Sequence, residues 1–392
     1  MSLRFLTAGE SHGPALTAIL EGIPAGLPLS HSMIDNDLRR RQHGYGAGGR
    51  MKIEQDTARI LGGVMDGQTT GAPIAIWIEN RDHAKWVDRA VPPFTTPRPG
   101  HADLTGAVKF GLRDLRPALE RASARETAAR VAVGAVCRCL LSQFEIQVGG
   151  YVCSIGEVAA RLDEISLEER IARAGQSDVS CPDAEAGEAM HVCIQQAMHA
   201  GDTLGGVIEI VALGVPVGLG SYTQWDQRLE ARLGAALLSI QAIKGVEIGP
   251  AFENTRLPGT RVHDPIERTG EYLTRPTTRS GGLEGGITTG QPLVVRAAMK
   301  PIATTITPQR TVDLASGQPV PTNYERSDFC PVPRAVVILE AAVAFVLADA
   351  LLEKLGGDSL AEILPRYAGL RRARLSDLPV DNTPHIFWKS HD

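Results

Sequence analysis

Cysteine is scarce in this chain. Its 392 residues include six, Cys137, Cys139, Cys153, Cys181, Cys193 and Cys330. Their spacing fits no zinc-binding pattern, and Cys137 and Cys139 fall inside an Ala-rich helical stretch. That argues for buried thiols in a reducing cytoplasm and against a disulfide or metal framework. Aromatic residues make up 5% and the net charge is -5. Neither the basic excess nor the aromatic-basic pattern of a nucleic-acid binder is present. No run of 18 apolar residues exists, so no membrane span is expected. Ser2-Leu3-Arg4-Phe5 runs straight into a polar loop, unlike a secretory leader. No dinucleotide-binding glycine fingerprint follows a strand, which argues against a built-in NADPH-dependent reductase.

Glycine and proline are abundant, at 41 and 25 residues. They gather in loops that also carry charge. After an apolar start at residues 3–6 comes Thr7-Ala8-Gly9-Glu10-Ser11-His12-Gly13-Pro14. Packing explains a histidine among Glu10, Ser11 and two glycines poorly, and histidine changes charge near neutral pH. A helix capped by Ser30 ends in Arg39-Arg40-Arg41 and the loop Gly44-Tyr45-Gly46-Ala47-Gly48-Gly49-Arg50. Arg41 and Arg50 bracket that loop and suit an anion, because guanidinium groups bind phosphate and carboxylate oxygens in pairs. Strands are expected at Ile53 and at residues 74–78. In Pro97-Arg98-Pro99-Gly100-His101-Ala102-Asp103, two prolines stiffen the backbone around Arg98, and Asp103 is placed to cap the next helix. Ser123 and Glu126 have capping-box spacing before an Ala-rich helix, where Arg125 would assist an anion at the helix start. In Glu325-Arg326-Ser327-Asp328, the last residues before a long apolar helix, Ser327 and Asp328 read either as helix caps or, with Arg326, as an anion clamp and proton-handling carboxylate. His191 and His199 read as surface residues.

Two stretches repeat. Residues 201–219 share six identities in nineteen with residues 9–27, and residues 281–295 share seven in fifteen with residues 62–76. They imply half-repeats of about 1–145 and 201–355 in a single domain spanning 1–392. Residues 146–200 read as an insertion, and both halves are expected to serve one site. A helix is expected from Asp226 to Ile243, and polar loops at 255–280 and 305–325.

Gly9-Glu10-Ser11-His12-Gly13, Arg98-Pro99-Gly100-His101-Ala102-Asp103, Glu120-Arg121-Ala122-Ser123-Ala124-Arg125-Glu126-Thr127 and Arg326-Ser327-Asp328 occur in this order. With Gly201-Asp202-Thr203, Gly285-Gly286 and Met299-Lys300-Pro301, the chain resembles the chorismate synthase family from Leu3 to about Leu360. The resemblance implies an α+β fold, a β-α-β sandwich with helices between antiparallel sheets, and a homotetramer. It also implies a lyase that converts 5-enolpyruvylshikimate 3-phosphate to chorismate and phosphate by 1,4-anti elimination. Reduced FMN is the implied cofactor, supplied by a separate flavin reductase. By the same resemblance, His12 protonates or steadies the departing phosphate, His101 protonates the reduced flavin, and Asp328 helps move a proton through flavin N5. Arg41, Arg50 and Arg98 would hold substrate anions. Ser123, Ala124, Arg125, Gln241, Ala242, Gly285, Lys300, Thr304 and Arg326 would hold the flavin. No metal is implied.

Two positions depart from the family pattern. Ala47 stands where an arginine of the phosphate site is usual, and Thr288-Thr289 stands where an asparagine is common second. Ala47 alone supports a second reading, a non-catalytic binder of flavin or anionic metabolites on the same fold.

Overall fold

Two antiparallel sheets form: strands of the first alternate buried and more exposed residues, whereas the strands Gln147–Ile155 and Gly206–Leu213 of the second are buried along most of their length. The computed structural model describes residues 3–47, 55–325 and 327–388. The strand expected at Ile53 and the candidate residues Arg50 and Arg326 lie outside the described residues. In the first sheet, β1 (Arg4–Ala8), β2 (Ala15–Glu21), β3 (Ala58–Gly62) and β4 (Ile74–Glu79) lie in the order β1-β2-β4-β3. Leu16, Leu20, Ile74, Ile76 and Ile78 form its inner face and are all at most 1% exposed. Each such side chain contributes about 1.5–3 kcal/mol relative to an exposed one. In the second sheet, β5 (Gln147–Ile155), the short edge strand β6 (Val158–Ala159), β7 (Gly206–Leu213), β8 (Ile243–Ile248) and β9 (Leu293–Met299) lie in the order β8-β9-β7-β5-β6.

The halves match strand for strand: β1 with β5, β2 with β7, β4 with β9 and β3 with β8. Register agrees too. Leu20 faces Ile74 in the first sheet, and the equivalent Ala212 faces Leu293 in the second. Both β3 and β8 carry a bulge, after Ile60 and after Ile243, at different points along the strand. A two-residue hairpin recurs, and in each copy one threonine ties it to the preceding turn. Thr69 Oγ1 donates to Pro24 O and accepts from Leu27 N–H, at 2.6 and 2.9 Å. Thr288 does the same with Pro216 O and Leu219 N–H, at 2.6 and 2.9 Å. Because β5 is the counterpart of β1, the second half begins near residue 147, not 201. Residues 147–155 of the stretch 146–200 are thus part of the second sheet, and the remainder stands where residues 9–14 form a short turn in the first half. The repeat was not visible there because β5 shares no glycine pattern with β1.

Helices fill the space between the sheets and flank it: α1 (His31–Gln42), α2 (Asp103–Phe110), α3 (Arg116–Ala122), α4 (Thr127–Ser142), α5 (Leu167–Ala174), α6 (Ala184–Ala200), α7 (Leu229–Leu238), α8 (Val332–Leu355) and α9 (Leu360–Ala368). The central pair packs α4 on β2 and β4, and α8 on β5 and β7. They approach so closely that a Cβ on Gly134 would lie 2.2 Å from that of Ala341. By length and composition α8 is apolar enough to cross a membrane, yet 83% of its most apolar window is buried within the fold. It is the core helix of an α+β sandwich, with apolar residues on all sides. All six cysteines are free thiols.

Local structure differs from expectation at several points. Ser30 occupies the N-cap of α1 without a side-chain cap bond. The helix expected to Ile243 ends at Leu238, because Ile243 already pairs with Met299 in the sheet. The turn between them places Ala242 at φ +68°, an uncommon conformation for a residue with a Cβ. Residues 255–280 include the hairpin Glu267–Thr269 with Tyr272–Thr274, and residues 305–325 the hairpin Arg310–Val312 with Pro319–Pro321. These strands are too short and too exposed to show alternation.

Candidate active site

A cleft of about 790 Å³ draws its lining from both halves. Both central helices begin at its wall, α4 just after Ser123-Ala124-Arg125 and α8 with Pro331 and Arg334.

The turn between β1 and β2 brings His12 to the cleft. It depends on Gly9 at φ +110°, where a Cβ would lie 2.3 Å from Ala15 O. His12 Nδ1–H donates to Glu120 Oε1 at 2.7 Å, and its backbone N–H donates to Glu120 Oε2, also at 2.7 Å. The imidazole lies against Trp86, ring centres 4.3 Å apart. His83 Nδ1–H donates to His12 O at 2.9 Å. Burial works against ionisation of Glu120, but hydrogen bonds from His12 and the charge of Arg116 hold it below the ordinary carboxylate range.

Asp103 organises the second histidine. It does not cap α2; Ala102 is the N-cap, and the carboxylate turns back into the loop. Asp103 accepts from Arg98 Nε at 2.8 Å, from Arg98 backbone N–H at 3.0 Å and from His101 Nδ1–H at 2.6 Å. Burial opposes its charge, yet hydrogen bonds from Arg98 and His101 outweigh this and depress its pKa strongly. A depressed carboxylate stabilises the fold fully above its unfolded pKa of about 3.9, and that contribution is lost as pH falls through the folded value. The stability difference between wild type and Asp103→Asn should therefore be constant above about pH 5 and shrink on further acidification. Urea midpoints measured from pH 7 down to 3 check this; a gap that stays constant throughout would disprove it.

A third cluster underlies the cleft. Asp56, 2% exposed, accepts from Arg125 Nη1 at 2.7 Å to both oxygens and from Arg41 Nη1 at 3.5 Å. Arg125 Nε also donates to Asn80 Oδ1 at 2.8 Å. Arg125 is thus built into the wall of the cleft. Burial, with Arg334 and Arg125 nearby, pulls the Arg41 guanidinium down to about 9, so it stays charged at neutral pH. Arg334 donates through Nε to Arg41 O at 2.9 Å and through Nη1 to Asp328.

Of the residues expected to hold flavin, Ser123, Ala124, Arg125, Gln241, Ala242, Lys300 and Thr304 all line this cleft, with Asp328 and the arginines Arg41 and Arg98. Ser123 caps only the short turn Ala124–Glu126, and no capping box forms there. Glu126 instead accepts from Thr7 Oγ1 at 2.7 Å and Arg130 Nε at 2.9 Å. Gln241 Oε1 is buried with no hydrogen-bond partner among the described residues, an acceptor suited to an N–H of a bound heterocycle. Lys300 Nζ donates to Gly100 O at 2.8 Å, and a Cβ on Gly100 would come within 3.2 Å of that amine. The acceptor, the cations and the volume all fit a flavin mononucleotide beside a small anion. Gly285 is not part of this lining; it sits in the hairpin Leu283–Glu284 with Ile287–Thr288. His191 is more than a surface residue: it stacks on Tyr45 at 4.2 Å and pairs with Asp178 at 2.6 Å.

Sequence reasoning did not single out Trp86, Asp56, Arg334 or the role of Glu120. Only Arg334 left a trace, as a charge in the first turn of an otherwise apolar helix.

Comparison with known proteins identifies the family. The sequence profile described as "Chorismate synthase" matches residues 3–352. The chorismate synthase of Desulforamulus reducens is 54% identical over 379 residues, covering 93% of this chain and 97% of that protein. That of Chlorobaculum tepidum is 52% identical over 389 residues, covering 95% and 98%. That of Aquifex aeolicus is 52% identical over 385 residues, covering 93% and 96%. A crystal structure of a chorismate synthase superposes with a TM-score of 0.78 at 47% identity, covering 94% of this chain and 97% of that one. Both in sequence and in fold, over nearly its whole length, the chain belongs to the chorismate synthase family of carbon–oxygen lyases.

Proposed function

We propose that the chain eliminates phosphate from 5-enolpyruvylshikimate 3-phosphate in a 1,4-anti sense to give chorismate, with reduced FMN bound. It works as a cytoplasmic homotetramer and receives its reduced flavin from a separate reductase. The observation that carries the reading is one cleft holding two histidines, each fixed through Nδ1 by its own carboxylate, among buried arginines.

The substrate's phosphate and two carboxylates match Arg41, Arg98 and Arg334, aided by the N-terminal ends of α4 and α8. Because the Nδ1–H of His12 is committed to Glu120, the proton that changes hands is the Nε2–H of the imidazolium; it passes to the departing phosphate and leaves a neutral Nδ1–H imidazole. His101 is oriented by both members of the Asp103 and Arg98 pair: Nδ1 lies 2.6 Å from Asp103 Oδ1, and Arg98 Nη2 lies 2.9 Å from Nδ1 and 3.3 Å from Nε2. Asp328, oriented by Arg334, serves the hydrogen lost from the ring. Ser123, Ala124, Gln241, Ala242, Lys300 and Thr304 would hold FMN, which when reduced supplies electron density for C–O cleavage. The binding-protein reading rests on Ala47 alone, and no other residue favours it.

Anaerobic mixing with substrate and chemically reduced FMN should release chorismate and phosphate together, and oxidised FMN should give neither. No product at saturating substrate, with FMN bound, would refute the proposal. Ala47→Arg should lower KM about 10-fold or more, the worth of one charge-assisted hydrogen bond of about 1.5–3 kcal/mol. An unchanged KM would show that the phosphate site is already complete.

A further inference from the structure

We infer that Glu120 is the positioning residue of His12, setting both its tautomer and its place in the cleft. The inference rests on the proposed role of His12 as proton donor. One carboxylate grips the histidine twice, at ring Nδ1–H and at backbone N–H, both at 2.7 Å. The Glu120 side chain is 11% exposed. The backbone of the same residue holds the neighbouring turn, Ser11 N–H donating to Glu120 O at 3.3 Å. Trp86 covers the ring, and His83 secures the His12 carbonyl at 2.9 Å. Fixing the turn requires only the backbone contacts. The ring contact does something else: it places the N–H on Nδ1 and dedicates Nε2 to proton transfer. The hydrogen bonds from His12, with a smaller contribution from Arg116 on the same short helix, keep the carboxylate charged against its burial.

Glu120→Gln and Glu120→Asp separate this from a structural role. Glutamine has one accepting oxygen; if that oxygen keeps the backbone N–H, the amide N–H faces Nδ1 and favours the opposite imidazole tautomer. Aspartate keeps the charge on a stem one methylene shorter. In folded Glu120→Gln protein, kcat should fall about 10²-fold, the scale of a misplaced catalytic group, with KM changed less than about threefold. Glu120→Asp should recover part of the loss. Solid-state ¹⁵N spectra of histidine-labelled protein, with His12 assigned by its loss in His12→Asn, should show a protonated Nδ1 in wild type and a tautomer mixture in Glu120→Gln. In a His12→Ala background, Glu120→Gln should cost nothing further, because residues that act as a unit are not additive. An unchanged His12 spectrum in folded Glu120→Gln, or the full loss repeated without His12, overturns the inference. If His12→Ala alone leaves elimination intact, the proton-donor reading fails, and the spectra still decide whether Glu120 positions the ring.

Discussion

Alanine at position 12 is expected to lower turnover in the anaerobic elimination by about 10²–10⁴-fold, the range of one general acid. Leaving phosphate gathers charge as the C–O bond opens, so a proton on Nε2 matters more at the transition state than in the bound substrate. The loss should therefore appear in kcat and leave KM almost unchanged. The fold should tolerate the change. The imidazole lies at the cleft surface, 20% exposed, and the turn is held separately through Gly9 and the backbone of Glu120. Phosphate release and chorismate absorbance, followed together with reduced FMN, give the readout. Activity within threefold of wild type would remove His12 from the mechanism.

Asp56→Ala should lose about 3–5 kcal/mol of stability, the cost of leaving buried charge without its counter-ion. Asp56 accepts from Arg125 and Arg41, and its backbone N–H donates to Gln42 Oε1 at 3.0 Å. Both guanidinium groups are almost fully buried, at 6% and 4% exposure. Without the carboxylate they face each other across a poorly solvated space, with Arg334 close to Arg41. The nearby N-terminus of α4 adds positive potential and increases the penalty. Urea unfolding followed by circular dichroism measures the change. A loss below about 1 kcal/mol would mean that water reaches the pair and screens it.

The sequence made the loops legible and hid their partners. His12, Arg98 and His101 stand out because glycine and proline shape the backbone around them, and no packing pattern accounts for their charge. The repeat was readable where backbone conformation demands glycine, as at Gly63 and Gly282, which share φ near +84° and +83°. It was unreadable in β1 and β5, where any side chain that fits the pleat will do. Glu120 lies 108 residues from His12, and Asp56 lies 69 from Arg125. No local rule connects residues so far apart. Glu126 shows how local rules fail. Its spacing from Ser123 suggested a cap, but Thr7 and Arg130 offer the carboxylate better-placed donors. Arg125 lines the cleft, but its partner Asp56 was not legible from the sequence around it.

The ribosome makes His12 early and α8 late. Until Val332–Leu355 emerges, the faces of α4, β5 and β7 that it will cover have no partner. A nascent or truncated chain therefore shows neighbouring chains the surface that finished molecules conceal, and chaperones or proteases that sense exposed apolar surface can distinguish the two. Arg334 sits on the first turn of α8 and anchors both Arg41 and Asp328, so the anion pocket closes in the same event that seals the core. The helix that seals the core thus also carries Arg334 to the wall of the cleft.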